Sequence, residues 1–119
     1  MSGPVITALL SPNPASGNLT ADGSEDLLAS ATAASGVFQL RADLSNMADG
    51  DIVELRAYTK ANGNGTEGLV YYASFANAQT NKIALSLPVA TAEDIKFTLK
   101  QTAGTNRNFQ WSVLNLVGL

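Results

Sequence analysis

The 119-residue sequence contains no cysteine and no histidine. The first absence excludes disulfides, thiolate nucleophiles and thiolate metal sites. The second removes the side chain that most often serves as general base near neutral pH, and the commonest transition-metal ligand. Charge is scarce as well. Asp, Glu, Lys and Arg make up 14% of the residues, against roughly 25% in an average soluble domain. The basic residues Arg41, Arg56, Lys60, Lys82, Lys96, Lys100 and Arg107 are scattered in a chain of net charge −3. Nucleic acid is therefore not an expected partner, because no patch is set up to displace phosphate counterions. No apolar run approaches the roughly 20 residues that span a bilayer, so no membrane partner is expected either. The first residues carry no Lys or Arg before their short apolar stretch, which does not fit a secretory signal.

Hydrophobic residues make up 45% of the chain, enough for one domain with one core. With so few charges, the remaining surface must be built largely of Ser, Thr, Asn, Gln, Ala and Gly. Burying neutral hydroxyls and amides against a partner costs far less than burying charge. The composition thus suits protein–protein contact.

Residues 1–35 differ in texture from the rest. They are rich in Ser, Ala, Gly, Thr, Asn and Pro, and Pro12 and Pro14 interrupt any regular ladder because proline has no N–H to donate. This segment is expected to be an extended arm with one or two short strands. Its apolar patch, Val5, Ile6, Leu9 and Leu10, is the candidate contact with another chain, since so few apolar side chains cannot offset the entropy of ordering the segment alone. Residues 36–119 are expected to form the β-sandwich domain proper.

From Gly36 onward the hydrophobic pattern has period two, the mark of half-buried strands. Phe38, Leu40, Ala42 and Leu44 alternate with Gln39, Arg41 and Asp43. After the turn-rich stretch 45–51, Val53, Leu55 and Ala57 alternate with Glu54, Arg56 and Tyr58. Asn62-Gly63-Asn64-Gly65 is the clearest loop. Leu69, Tyr71, Ala73 and Phe75 then share one face, as do Ile83, Leu85, Leu87 and Val89, and Ile95, Phe97 and Leu99. Phe109, Trp111 and Val113 close the series. The expected core contains Phe38, Leu40, Val53, Leu55, Ile83, Leu85, Phe97, Leu99 and Trp111. Strands at this spacing, separated by Gly, Asn and Asp turns, give an all-β, antiparallel, jelly-roll-like sandwich.

Sites for chemistry are few. Asp49-Gly50-Asp51 offers oxygens, but the further ligands that Ca²⁺ requires at fixed offsets are missing, and Asp-Gly is an ordinary turn. The adjacent pairs Glu25/Asp26 and Glu93/Asp94 cannot flank one bond from a strand, because neighbouring side chains point to opposite faces. No enzyme activity and no cofactor is expected. Tyr58, Tyr71, Tyr72 and Trp111 are candidates for stacking on a sugar ring. Tyr58 is the best surface candidate among them, since it shares a face with Glu54 and Arg56, whereas Trp111 alternates with core residues.

The segments 38–56 (FQLRADLSNMADGDIVELR) and 97–114 (FTLKQTAGTNRNFQWSVL) resemble a group of small β-rich proteins of tailed bacteriophages. Their patterns run L-R-x-D-L-x-x-[LM]-x-[DN]-G-D-x-V-E-L-R and T-L-K-Q-T-A-G-T-x-R-x-F-x-W. The resemblance implies a virion protein, most compatibly a capsid decoration (cement) protein on the particle surface. It would clamp neighbouring capsid subunits, with the capsid protein and copies of itself as partners, as a trimer if it sits on capsid three-fold positions. The alternative is a receptor- or carbohydrate-binding β-sandwich module on a tail fibre. The first 35 residues lie outside the resemblance.

Overall fold

The computed structural model describes residues 10–32 and 35–116, and the side chains from residue 15 onward. Among the described residues, nine strands make two antiparallel sheets: β1 (Leu10–Thr20), β2 (Glu25–Ala31), β3 (Gly36–Asp43), β4 (Ile52–Thr59), β5 (Gly68–Ala76), β6 (Ile83–Leu85), β7 (Val89–Thr91), β8 (Ile95–Ala103) and β9 (Asn108–Leu116). Sheet A runs β1-β9-β3-β6, with β7 also on β3, and sheet B runs β2-β8-β4-β5.

The order follows from one long antiparallel ribbon folded at the β4–β5 connection. The first half of the chain pairs with the second in reverse: β1 with β9, β2 with β8, β3 with β6 and β7, β4 with β5. Rolling that ribbon brings β3 against β9 and β4 against β8. Two sheets closed in this way form a jelly roll, in which the inward side chains of both faces share one core. Leu40, Val53, Leu55, Leu99 and Phe109 are wholly enclosed there, with Phe38 and Phe97 beside them. Trp111 also packs against this core. Its indole lies over Gly17 of β1, in van der Waals reach of where a Cβ would stand.

The segment expected to be an arm contributes β1 and β2. The prolines act where expected: the β1–β9 register shifts between Ser11 and Ala15, around Pro12 and Pro14, and pairing resumes from Ala15 to Thr20. β3 starts at Gly36.

Two expectations about facing are corrected. Ile83 and Leu85 are 47% and 54% exposed, and Leu87 is 47% exposed. The side chains that point inward here are Ala84, Ser86 and Val89. Over residues 83–87 the alternation is inverted, because Ser86 turns its hydroxyl in to accept the backbone N–H of Leu40 at 2.9 Å, while Val89, beyond the break between β6 and β7, faces the core as expected. Leu69 is also exposed, whereas Tyr71 and Phe75 pack on the core. A bulge between Ala57 and Tyr58 shifts the β4–β5 register there, and an extra residue in one strand turns the residues beyond it to the other face.

These registers separate substitutions that sequence alternation treats alike. Leu55→Ala should destabilise the fold by about 2–5 kcal/mol, whereas Ile83→Ala and Leu85→Ala should each stay within about 0.5 kcal/mol. Urea denaturation of dilute protein measures all three.

Candidate functional site

The outward face of sheet B carries a network of polar side chains, with exposed Leu27 on β2 and exposed Leu69, Val70 and Tyr72 on β5. Cross-strand pairing places Glu54 opposite Lys100, Arg56 opposite Thr98 and Tyr58 opposite Lys96, with Tyr72 and Ser74 beside them on β5 and Glu25 on β2. The Glu54 carboxylate takes an ion pair from Arg56 at 2.8 Å and a hydrogen bond from the Tyr72 hydroxyl at 2.9 Å. The Arg56 guanidinium lies 4.9 Å from the Tyr72 ring centre, a cation–π contact. The Glu25 carboxylate accepts from Thr98 at 2.6 Å and from Tyr58 at 2.5 Å. Lys96 sits 4.6 Å from the Tyr58 ring centre and pairs with Glu67 at 2.9 Å. The Thr98 and Tyr58 hydroxyls hold the Glu25 carboxyl below its ordinary pKa. Burial pushes the Tyr58 phenol up, and the hydrogen bond it donates to Glu25 adds to that. Tyr58 is therefore committed to its neighbours. The more open ring is Tyr72, 48% exposed.

The outward face of sheet A has the opposite character. Its strands alternate inward core residues with Ser16 and Asn18 on β1, Gln110 and Ser112 on β9, and Gln39, Arg41 and Asp43 on β3. Among the described residues of these strands, Arg41 and Asp43 are the charged ones. Asp43 is held below its ordinary pKa, first by hydrogen bonds from Ser45 and then by Lys82. Arg41 and Asp43 line a shallow depression with Ile83, Gln110 and Ser112. The face ends at the apolar ridge of Ile83, Leu85 and Leu87.

One end of the roll is organised by Asp51, 1% exposed. Its carboxylate accepts the backbone N–H groups of Ala48 (2.9 Å) and Thr105 (3.1 Å) and the Arg107 Nε–H (2.7 Å). Its carbonyl accepts the N–H of Asn77 at 2.8 Å. The β3–β4, β5–β6 and β8–β9 connections thus meet on one residue. The Ala48 N–H and then Arg107 hold the Asp51 carboxyl below its ordinary pKa. Asp49 is apart from this group, its carboxylate facing the N–H of Ala78. Of the sequence Asp-Gly-Asp, one carboxylate is buried and spent on the chain's own donors, as a turn reading requires.

Of the residues expected to contact partners, Val5, Ile6 and Leu9 lie outside the described residues, and Leu10 opens β1 without a described side chain. Tyr58 lies in the sheet B network. Tyr71 faces the core and Tyr72 the outside. Glu25 and Asp26 diverge as adjacent strand residues must: Asp26 is pushed up by burial and by Asp22, away from the Glu25 network. Asp94 pairs with Lys60 at 3.1 Å. The residues missed by sequence reasoning are Ile83, Leu85 and Leu87 as surface. Pro88 was the available signal, because a proline marks an edge or a strand end, and β6 ends at Leu85.

No protein-family model matches the sequence, and no curated protein matches it. Among solved structures, the chain is similar to the VP2 subviral particle of infectious bursal disease virus, with a TM-score of 0.48 and 14% identity over 91% of this chain and 31% of that one. It is likewise similar to a chain of the Gx strain of that virus, with a TM-score of 0.44 and 18% identity over 91% and 31%. A family 16 carbohydrate-binding module follows with a TM-score of 0.33 and 17% identity over 86% and 75%. The chain spans less than a third of the viral chains it matches. Likeness at this level identifies neither a family nor an activity.

The Asp51 cluster generates a prediction in two parts. A carboxylate with a lowered folded pKa contributes stability that is full above the unfolded value, about 3.9, and is lost as pH falls through the folded one. Asp51→Asn should therefore melt well below the wild type at neutral pH, by on the order of 10 °C, and the gap should narrow only below about pH 4. Gly104→Ala should be as damaging, since a Cβ there would lie 1.9 Å from the Asp51 Oδ1, while Gly23→Ala, with a similar positive φ and open space around it, should cost clearly less. Thermal melts across pH check both parts.

Proposed function

We propose that the protein is a structural component of a virus particle and acts by binding rather than by catalysis. The observation that carries this reading is the outward face of sheet A, a broad surface of neutral hydroxyls and amides bounded by an exposed aliphatic ridge. Such a surface gives up its water at little cost and gains from apolar burial, whereas on sheet B Glu54 is paired with Arg56 and Lys96 with Glu67. More finely, the resemblance of segments 38–56 and 97–114 to small virion proteins of tailed bacteriophages supports a capsid decoration role. In that role the protein sits on the particle surface, with capsid protein and its own copies as partners. Binding only the assembled shell would stabilise it by mass action.

A second reading is favoured by one feature of sheet B. Tyr72 exposes its ring beside exposed Leu69 and has Arg56 stacked on it. An open ring of this kind suits stacking against the apolar face of a sugar. Glycan-array binding that disappears in Tyr72→Ala would establish this reading, and an array without signal would remove it.

The structural role predicts that the protein is present at a fixed, stoichiometric copy number in purified particles. It also predicts that Ser112→Asp with Gln110→Glu, which charge the sheet A face, leaves the fold intact and abolishes particle binding. Quantitative mass spectrometry of particles and co-sedimentation of added protein make the check. A protein absent from particles would overturn the assignment.

A further inference from the structure

Among the described residues β6 is an edge of sheet A, and its two sides are unlike. Leu44 donates its N–H to the Lys82 carbonyl, and Ser86 donates its N–H to the Leu40 carbonyl. The register places Ala42 opposite Ala84 between them. In an antiparallel ladder, hydrogen-bonded and non-hydrogen-bonded pairs alternate. Lys82, Ala84 and Ser86 therefore direct their backbone groups towards β3, while Ile83 and Leu85 direct their N–H and C=O groups away from the sheet. The residues with an open backbone are thus the residues with large exposed apolar side chains. An edge with open donors and aliphatic side chains is what soluble proteins ordinarily avoid by placing charge or proline on it.

We propose that β6 pairs with β6 of a second copy, antiparallel, about a two-fold axis through Ala84. This edge is its own complement. The axis sets Ile83 opposite Leu85 of the second copy, and Leu85 opposite its Ile83, both as hydrogen-bonded pairs. The two apolar ridges then merge on one face of a sheet continuous across both copies. Charge agrees with the register. Asp43 pairs with Ile83 and Arg41 with Leu85 within each copy, so each row across the joint has an acid at one end, two aliphatic side chains in the middle and a base at the other. Lys82 falls opposite Ser86 of the second copy, and no like charges are opposed.

Pro88 and the break after Leu85 keep the paired stretch at three residues. The area buried falls short of the roughly 1,200 Å² of a stable interface. The contact is accordingly a weak, reversible one, which becomes effective where many copies are held side by side. It does not rest on the virion assignment and is separate from any three-fold contact a capsid position would impose.

Because the chain has no cysteine, the register can be read by cross-linking. Directly opposite residues of a hydrogen-bonded pair lie about 5.5 Å apart at Cα, within disulfide range. Under mild oxidation, a mixture of Ile83→Cys and Leu85→Cys proteins should form the mixed disulfide dimer at least about tenfold faster than either variant alone, because the axis sets residue 83 opposite 85 and neither opposite itself. Sedimentation of the full chain up to about millimolar concentration should show monomer–dimer exchange, as a contact of this small area allows. Leu85→Pro removes only an outward N–H, so it should keep the wild-type circular dichroism spectrum while weakening association at least about tenfold. A monomer at all concentrations would overturn the inference and leave the edge to a strand of another protein. Equal cross-linking by the single variants, or undiminished association of a folded Leu85→Pro protein, would overturn it too.

Discussion

The Asp51 carboxylate is the point on which one end of the roll depends. A buried charge is tolerable only when fully paired and hydrogen-bonded, and this one receives two backbone N–H groups and a guanidinium from separate connections. The geometry leaves no room for adjustment. Gly104 has a positive φ and approaches so closely that any side chain would displace the carboxylate. Gln101, itself buried, supports the same turn by donating to the carbonyls of Ala103 and Thr105 and accepting the N–H of Arg107. The β8–β9 turn is thus built around the carboxylate and is held there from within.

That arrangement bears on what the phage resemblance means. Its first pattern contains Asp51, and its second contains Gln101, Gly104, Thr105 and Arg107. These are the residues that meet at this end of the fold. Those positions of the two segments are thus accounted for by the way the chain joins them at this end.

Much of the fold was legible because a half-buried strand must alternate. The facing of β3, β4, β8 and β9 follows directly from Phe38, Leu40, Val53, Leu55, Phe97, Leu99, Phe109 and Val113. What alternation cannot give is which of its two phases faces the core. In Ile83-Ala84-Leu85-Ser86 the large residues suggested one phase, and the hydroxyl of Ser86, needed by the Leu40 N–H, selected the other. At Leu69 a single bulge reversed the phase within a strand. The strands β1 and β2 were hidden for a different reason. Their sequences are poor in large apolar side chains, and their place in the sheets comes from backbone pairing with β9 and β8. Of the candidate contacts, Tyr58 was rightly placed on the outward face of sheet B, but its engagement with Glu25 depends on β2, distant in sequence.

The scarcity of charge takes on a sharper meaning once the faces are separated. On or beside sheet B, Glu54 is paired with Arg56, Glu67 with Lys96, and Glu25 accepts from Tyr58 and Thr98. Sheet A is left with Arg41 and Asp43 among neutral side chains. A partner approaching sheet B would have to break ion pairs that are already made, at a cost its own contacts must exceed. A partner approaching sheet A displaces water from amides, hydroxyls and methyl groups, and meets at the ridge backbone groups directed away from β3. The two faces thus ask different things of a partner: charge to be displaced on sheet B, and neutral polar and aliphatic surface to be dried on sheet A.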